Sequence, residues 1–454
     1  MNAHRTIATA PGALPLLGHT VALLRNALGF LNSLPDHGDL VRVRLGPSTA
    51  IVVCDPDLTR QLLLDDRTFD KGGFFVDMVR DVLGNGVGFC PHSDHRRQRR
   101  LTQPAFHPDR LPSYAQTMTD QIVAVTGAWC EGQSIDVLAE MKTITIRTVA
   151  ATLVGSALSP ATLTELFDDF TAVAAGAYRR MLLPPPLKKL PTPGNRRYVR
   201  ARARLRRTVA TIIADYRNSG IDHGDLLSIL LATRDDRDGQ GLSDTEINDQ
   251  IVTFFVAGME TTADTLAWAL HLLAEHPDVQ QRLHAEIDTV LAGRTPALED
   301  LPKLELAGHI ITETLRLYPP IWIVTRATTT DTQLGQHPLP TGTTIVVSPY
   351  LIQHRPDLHP DPEHFDPDRW NNHRATAPPR SGFIAFGGGA RKCMGDTFAL
   401  TEATLALATI TAHWHLDPVS GHRVHPAVGP TLSPRGPRMR ATARATDCGV
   451  ERTH

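Results

Sequence analysis

Residues 243–277 set the scale of anything this chain can fold into. Ser243-Asp-Thr-Glu246 places a hydroxyl at a helix N-cap and a carboxylate three residues later, a reciprocal pair that satisfies the first free N–H groups of a helix. The helical pattern then runs to about Glu275, where Pro277 stops it. That is about 32 residues, or roughly 48 Å at 1.5 Å per residue. One helix of that length must cross most of a globular domain. The material for such a domain is present, because 41% of the 454 residues are hydrophobic and 21% charged, a balance that buries a large core. At about 150 residues per domain the length alone suggests roughly three domains. No internal repeat and no linker rich enough to divide the chain is evident.

The flanking pattern is mainly helical with a minor β part. LVRVRLG and TAIVVC, joined by Gly46-Pro47-Ser48, read as a β-hairpin. Apolar residues spaced by three and four predict helices over Asp57–Leu64, Pro112–Trp129, Leu138–Val154 and Leu163–Met181. The proline-rich stretch Leu182–Pro193 is expected to be a loop. A basic helix follows, carrying Arg196, Arg197, Arg200, Arg202, Arg204, Arg206 and Arg207, read as a solvated face or, alternatively, a docking surface. Residues 235–241 read as a polar loop, TTIVVSPY as a strand, and TFALTEATLALATITAHW as a helix. Residues 1–20, broken by Pro11, Gly12, Pro15 and Gly18, are expected to be a flexible lead. No apolar run approaches the roughly 20 residues of a membrane span, so a cytoplasmic protein without a membrane anchor is expected. With 46 Lys+Arg against 48 Asp+Glu the net charge is −2, which argues against a nucleic-acid binder.

Five scattered cysteines do not form a disulfide framework and fit a reducing compartment. Cys393 is the one whose surroundings point to chemistry. It ends the glycine-dense Phe386-Gly-Gly-Gly-Ala-Arg-Lys-Cys393 and precedes a helix. A helix N-terminus and the neighbouring Arg391 and Lys392 favour thiolate over thiol, and the glycines let backbone approach a large flat partner.

The spacing of Phe386, Gly389, Arg391, Cys393 and Gly395, with Phe398-Ala399 and Glu402 beyond, resembles the cysteine-ligand signature of the cytochrome P-450 family. The resemblance implies haem b (iron-protoporphyrin IX) ligated by Cys393, whose electron donation favours O–O cleavage. It implies a single large domain over 1–454, with haem between the long central helix and the cysteine loop. On that helix, Ala257-Gly-Met-Glu-Thr-Thr262 resembles the oxygen-activation segment. Gly258 would leave room above the iron in a locally opened helix. Glu260 and Thr261 would form an acid–alcohol pair delivering protons; a solvated glutamate and a threonine back-bonded to its own helix are the plain alternative.

By the same resemblance, Glu313, Arg316 and Arg369 form a structural ion network, and Phe386, Gly389, His95, Arg99, Arg326 and Arg391 bind the cofactor, the last four at its propionates. Arg96, Arg97 and Arg100 with Lys392 would make a basic patch for an acidic ferredoxin. The substrate pocket falls on Phe74, Phe75 and Phe89, on Phe254, Phe255 and Ala257, on Ile321, Trp322 and Val324, and on Leu432. These positions are almost wholly apolar, with Arg80 and Asp81 as charges that could turn inward, so a hydrocarbon-like ligand oriented by shape is expected.

Stretches such as HRRQRRLTQPAFH, AYRRMLLPPP and PPIWIVTR are similar to bacterial terpene-oxidising members, in particular sesquiterpene (pentalenene- or albaflavenone-type) oxygenases. The expected activity is hydroxylation of an apolar terpene, once or in successive oxidations, by a monomer that uses O2. Electrons would come from NAD(P)H through a separate ferredoxin and ferredoxin reductase, since no flavin or iron–sulfur motif is present. A fatty-acid or macrolide hydroxylase is the alternative within the family. From other classes, a non-catalytic haem-thiolate sensor would need no Glu260–Thr261 pair, and a cysteine hydrolase would leave the glycine loop and the arginines unexplained.

Overall fold

The capping box forms at the start of the long helix: Ser243 N donates to Glu246 Oε2 at 2.8 Å, and Glu246 N to Ser243 Oγ at 3.3 Å. The computed structural model describes residues 6–155, 159–181, 187, 190–371, 382–419 and 423–444. Their helices, in chain order, are α1 (Thr20–Asn32), α2 (Pro56–Leu64), α3 (Phe74–Leu83), α4 (His92–Thr102), α5 (Leu111–Thr126), α6 (Val137–Val154) and α7 (Pro160–Met181). After these come α8 (Pro193–Ser219), α9 (Leu226–Ala232), α10 (Asp244–Glu275), α11 (Pro277–Leu291), α12 (Glu305–Leu317), α13 (Pro349–Gln353) and α14 (Asp396–His413). The 32-residue α10 is the axis. Its N-terminal half packs among α6, α7, α8 and α9, and its C-terminal half among α5, α6, α11, α12 and α14. Apolar residues occur all round α10 and α14, as burial on every side requires.

The β part forms a separate layer with a third core cluster beneath it. Strands β1 (Ala8–Thr9), β2 (Leu40–Leu45), β3 (Ser48–Val53), β4 (Phe69–Lys71), β6 (Val324–Thr328) and β9 (Thr344–Val347) make one six-stranded sheet in the order β1-β2-β3-β9-β6-β4. Leu40 pairs with Val53 in the antiparallel hairpin, and its turn uses Gly46 at φ +57°. At the other edge Lys71 pairs with Arg326, a register that matters below. Smaller sheets are β10 (Trp414–Pro418), β13 (Arg438–Ala443) and β5 (Ser134–Asp136) in that order, and the pair β7 (Thr332–Leu334) and β8 (His337–Leu339). β11 (His425–Val428) and β12 (Leu432–Arg435) form a hairpin pinned to α10 through Trp268 Nε1 donating to Leu432 O at 3.0 Å.

Two expectations change, and a third falls largely on residues that are not described. The lead predicted over residues 1–20 is tied down from residue 6: β1 pairs with β2, Ala10 and His19 are buried, and His19 Nε2 lies 2.9 Å from Ala10 O. The proline-rich 182–193 lies mostly outside the described residues. In α8 the basic face is only partly solvated, because Arg204 pairs with Asp169, Arg206 with Asp249 at 3.0 Å and Arg217 with Asp244. Those arginines join helices, whereas Arg196, Arg197, Arg200 and Arg207 are exposed. Among the described residues no helix is long and apolar enough to cross a membrane.

Candidate active site

The cysteine loop owes its shape to two residues in the left-handed region, Gly387 at φ +71° and Gly389 at φ +63°. At Gly389 any Cβ would sit 2.2 Å from Leu63 O, so the loop can seat against the end of α2 only with glycine there. Cys393 N donates to Phe386 O at 2.9 Å, closing the loop just before α14. Cys393 is exposed, yet many protein atoms surround its sulfur. Burial raises its pKa above the usual thiol value, and the Gly395 N–H, Arg99 and Lys392 oppose this. The thiolate bias expected from Arg391 does not arise in this way, because the guanidinium turns from the sulfur to Asp66 and Asp70.

The centre of α10 is uncovered along one stripe. Ala257 is exposed and Thr261 half-buried, on a helix otherwise enclosed by protein. Gly258 does not serve as room on that stripe. A Cβ there would lie 2.7 Å from Val149 Cγ2, so the glycine lets α10 and α6 approach, and α10 runs unbroken through the segment. Thr261 Oγ1 donates to Ala257 O at 2.6 Å. Glu260 is half-buried with Oε1 4.0 Å from Lys142 Nζ, and burial raises its pKa.

Cations gather beside the loop. Arg326 on β6 is 3% exposed, and its Nε and Nη1 have no partner. Burial, then repulsion from Arg391, brings its pKa down to about 10. Arg391 donates to Cys90 O at 2.8 Å, and its side chain also meets Asp70 at 2.8 Å and Asp66 at 3.2 Å. His95 is buried, its Nδ1 3.9 Å from Asp66 Oδ2; burial, then Arg391, pushes its pKa to about 3, so the ring is neutral. Arg99 is placed differently from its neighbours. It donates to Ala390 O at 3.2 Å and Lys392 O at 2.7 Å, clasping the loop backbone from outside.

Sequence reasoning missed Lys71, which β4–β6 pairing sets beside Arg326 and whose pKa burial lowers strongly. It also missed Asp66 and Asp70, which hold Arg391. No spacing signal in the sequence points to any of the three: Lys71 gains its place from strand register, and Asp66 and Asp70 from side-chain contact with a loop more than 300 residues away. Arg391 is matched by Asp66 and Asp70, whereas among the described residues Arg326 beside it has no carboxylate of its own. The unpartnered Arg326 N–H groups therefore suit a carboxylate of a further buried group.

The other predicted residues divide. Glu313 and Arg316 are fully buried and meet at 2.8 Å, with Arg369 3.4 Å from Glu313. Arg97 and Arg100 are each 2.6 Å from an acid, Glu246 and Asp235, and Lys392 pairs with Asp396. The basic patch is thus largely neutralised, with Arg96 exposed. Arg80 is taken up by Phe89 O at 2.7 Å and Lys71 O at 3.0 Å rather than turned inward. The side chains of Phe74 and Asp81 lie outside the described residues.

Phe75, Phe89, Phe386, Ile321 and Val324 are half-buried. Phe254 packs edge-on against Phe106 with ring centroids 5.2 Å apart. Phe255 is a correction: two residues before Ala257 it points about 200° round the helix and lines a separate apolar cavity with Ala150, Leu205 and Ile251. Trp322 and Leu432 are also core residues. The Trp322 indole donates to Gly429 O at 3.0 Å, and Leu432 is 0% exposed beneath the sheet.

Residues 9–438 match the cytochrome P-450 family model, and the chain belongs to that family; it is a haem monooxygenase. It is 50% identical over 417 residues to cyclooctat-9-en-7-ol 5-monooxygenase of Streptomyces melanosporofaciens, covering 92% of this chain and 91% of that protein. To pentalenene oxygenase of Streptomyces avermitilis it is 48% identical over 446 residues, covering 98% and 99%. To cyclooctatin synthase of Streptomyces melanosporofaciens it is 44% identical over 419 residues, covering 92% and 91%.

Proposed function

We propose that this chain hydroxylates an apolar terpene, with haem b held through Cys393 and its carboxylates met by Arg326, Arg391, His95 and Lys71. The observation that carries the assignment is the pair of unpartnered N–H groups on deeply buried Arg326, beside the loop that presents Cys393. When bound, the haem supplies dioxygen activation and insertion of one oxygen atom into an unactivated C–H bond.

The protein's own part follows from its residues. Neutral His95 donates or accepts a single hydrogen bond without adding charge. Arg99 fixes the loop backbone, so the sulfur keeps its position. The Thr261 hydroxyl swings from Ala257 O to donate a proton into the cavity, and Glu260, whose pKa burial raises, restores it. Apolar Ala257, Ile321 and Val324 exclude water and orient the substrate by shape. Two of the similar proteins are named for oxidation of pentalenene and of cyclooctat-9-en-7-ol, which supports a terpene over a fatty acid or macrolide. A monomer served by a separate ferredoxin and its reductase completes the reading. The test is a binding-spectrum screen of terpenes, fatty acids and macrolides on the haem-loaded protein. A substrate-type shift of the haem spectrum with terpenes alone is the expected result; equal or stronger shifts with another class would refute the substrate assignment.

A further inference from the structure

Asp264 is a carboxylate without a task in the site described so far. It is 0% exposed, and neither of its oxygens makes a hydrogen bond of full geometry. At 100° per residue it lies about 20° round the helix from Ala257 and about 60° from Thr261, so it continues the uncovered stripe of α10 one turn deeper. It faces the start of β12, where the hydroxyls of Thr431, just before the strand, and Ser433 are 3.2 Å apart and close enough to favour its charged form. Ser433 is half-buried, so water has partial access to it. The charged groups acting on Asp264 are Lys142 from α6 and Glu260 from its own helix; β12 presents only hydroxyls. Burial, outweighing these, sets its pKa at about 6.

We propose that Asp264 is a second relay acid, fed from solvent through Ser433 and Thr431. The carboxyl proton passes to Thr261 Oγ1 as that hydroxyl releases its own proton into the cavity. The resulting Asp264 carboxylate is reprotonated through Ser433. Residues at i and i+3 have Cβ atoms about 5–6 Å apart, a gap that one water spans. This rests on the Glu260–Thr261 reading above.

The test uses haem-loaded D264N, nearly isosteric and able to keep hydrogen bonds to Thr431 and Ser433 but unable to carry the proton. In wild type, infrared pH titration should show a buried carboxyl band titrating near pH 6 that D264N lacks. Product formed per O2 consumed should fall about ten-fold in D264N, lose its inflection near pH 6, and recover in part with D264E. If D264N keeps that inflection and wild-type coupling while T261A uncouples, the Asp264 proposal is overturned. If T261A itself leaves coupling unchanged, the acid–alcohol reading fails instead, and with it the relay. Should D264N not retain haem, S433A carries the test, and unchanged coupling across the pH range overturns the route.

Discussion

Replacing Glu313 by glutamine tests how α12 is tied to the 353–370 segment that leads toward the cysteine loop. Five donors converge on that carboxylate: Arg316 Nε at 2.9 Å and Nη2 at 2.8 Å, Trp370 Nε1 at 2.9 Å, Asp366 N at 3.1 Å and Arg369 Nε at 3.4 Å. Glutamine removes the charge and turns an N–H group toward donors. It leaves Arg316, itself fully buried, without a counter-ion. Breaking a buried pair from one side costs about 3–5 kcal/mol, against a total stability of about 5–15 kcal/mol. Exchanging both partners for apolar residues would not restore it. Arg316 also donates to Gln353 O at 3.1 Å, Pro362 O at 2.6 Å and His364 O at 3.1 Å, and each orphaned carbonyl costs about 1–3 kcal/mol. Urea unfolding of haem-loaded E313Q, with haem occupancy followed in parallel, is the assay. The expected result is a loss of at least about 3 kcal/mol with lowered haem retention; a loss below about 1 kcal/mol would refute the reasoning.

Further outcomes follow from single residues. G389A should lose haem readily, since a positive φ costs alanine about 1–2 kcal/mol and its Cβ would meet the Leu63 carbonyl at 2.2 Å; haem titration showing wild-type affinity would contradict this. Glu402 is fully enclosed between Thr148 and Thr262, and burial raises its pKa to about 8. The folded state therefore holds a proton that the unfolded chain releases near pH 4.5. That contribution is full below pH 4.5 and is lost as pH rises to about 8, by up to about 5 kcal/mol. E402Q should flatten this decline, and identical stability–pH curves for the two proteins would count against it. R326Q should weaken haem binding with little loss of apoprotein stability, read by haem titration and urea unfolding of the apoprotein, because among the described residues nothing bonds its Nε and Nη1; a large apoprotein loss would show a structural role.

What was legible in the sequence had local causes. A serine, a glutamate and a proline framed α10, and the glycines between Phe386 and Cys393 announced a loop whose backbone must bend through positive φ and approach a neighbour. Residues whose meaning depends on a distant partner were not legible. Gly258 answers to Val149 on another helix, and Lys71 gained its place from strand register. Arg99 matched a motif yet reaches backbone carbonyls of the loop, since side-chain direction depends on packing that the motif does not encode. Phe255 was within reach of simple helical geometry, because two residues from Ala257 it must face away. The N-terminal residues looked like a lead because prolines and glycines break periodicity, but chain pairing through β1 needs only two residues.

The central claim is thiolate ligation by Cys393, and carbon monoxide on the dithionite-reduced protein tests it most directly. A strongly red-shifted Soret band in the wild type, lost in C393H with haem still bound, is the predicted result. A wild-type band at the position of an imidazole-ligated haem, or a red-shifted band that persists in C393H, would contradict it.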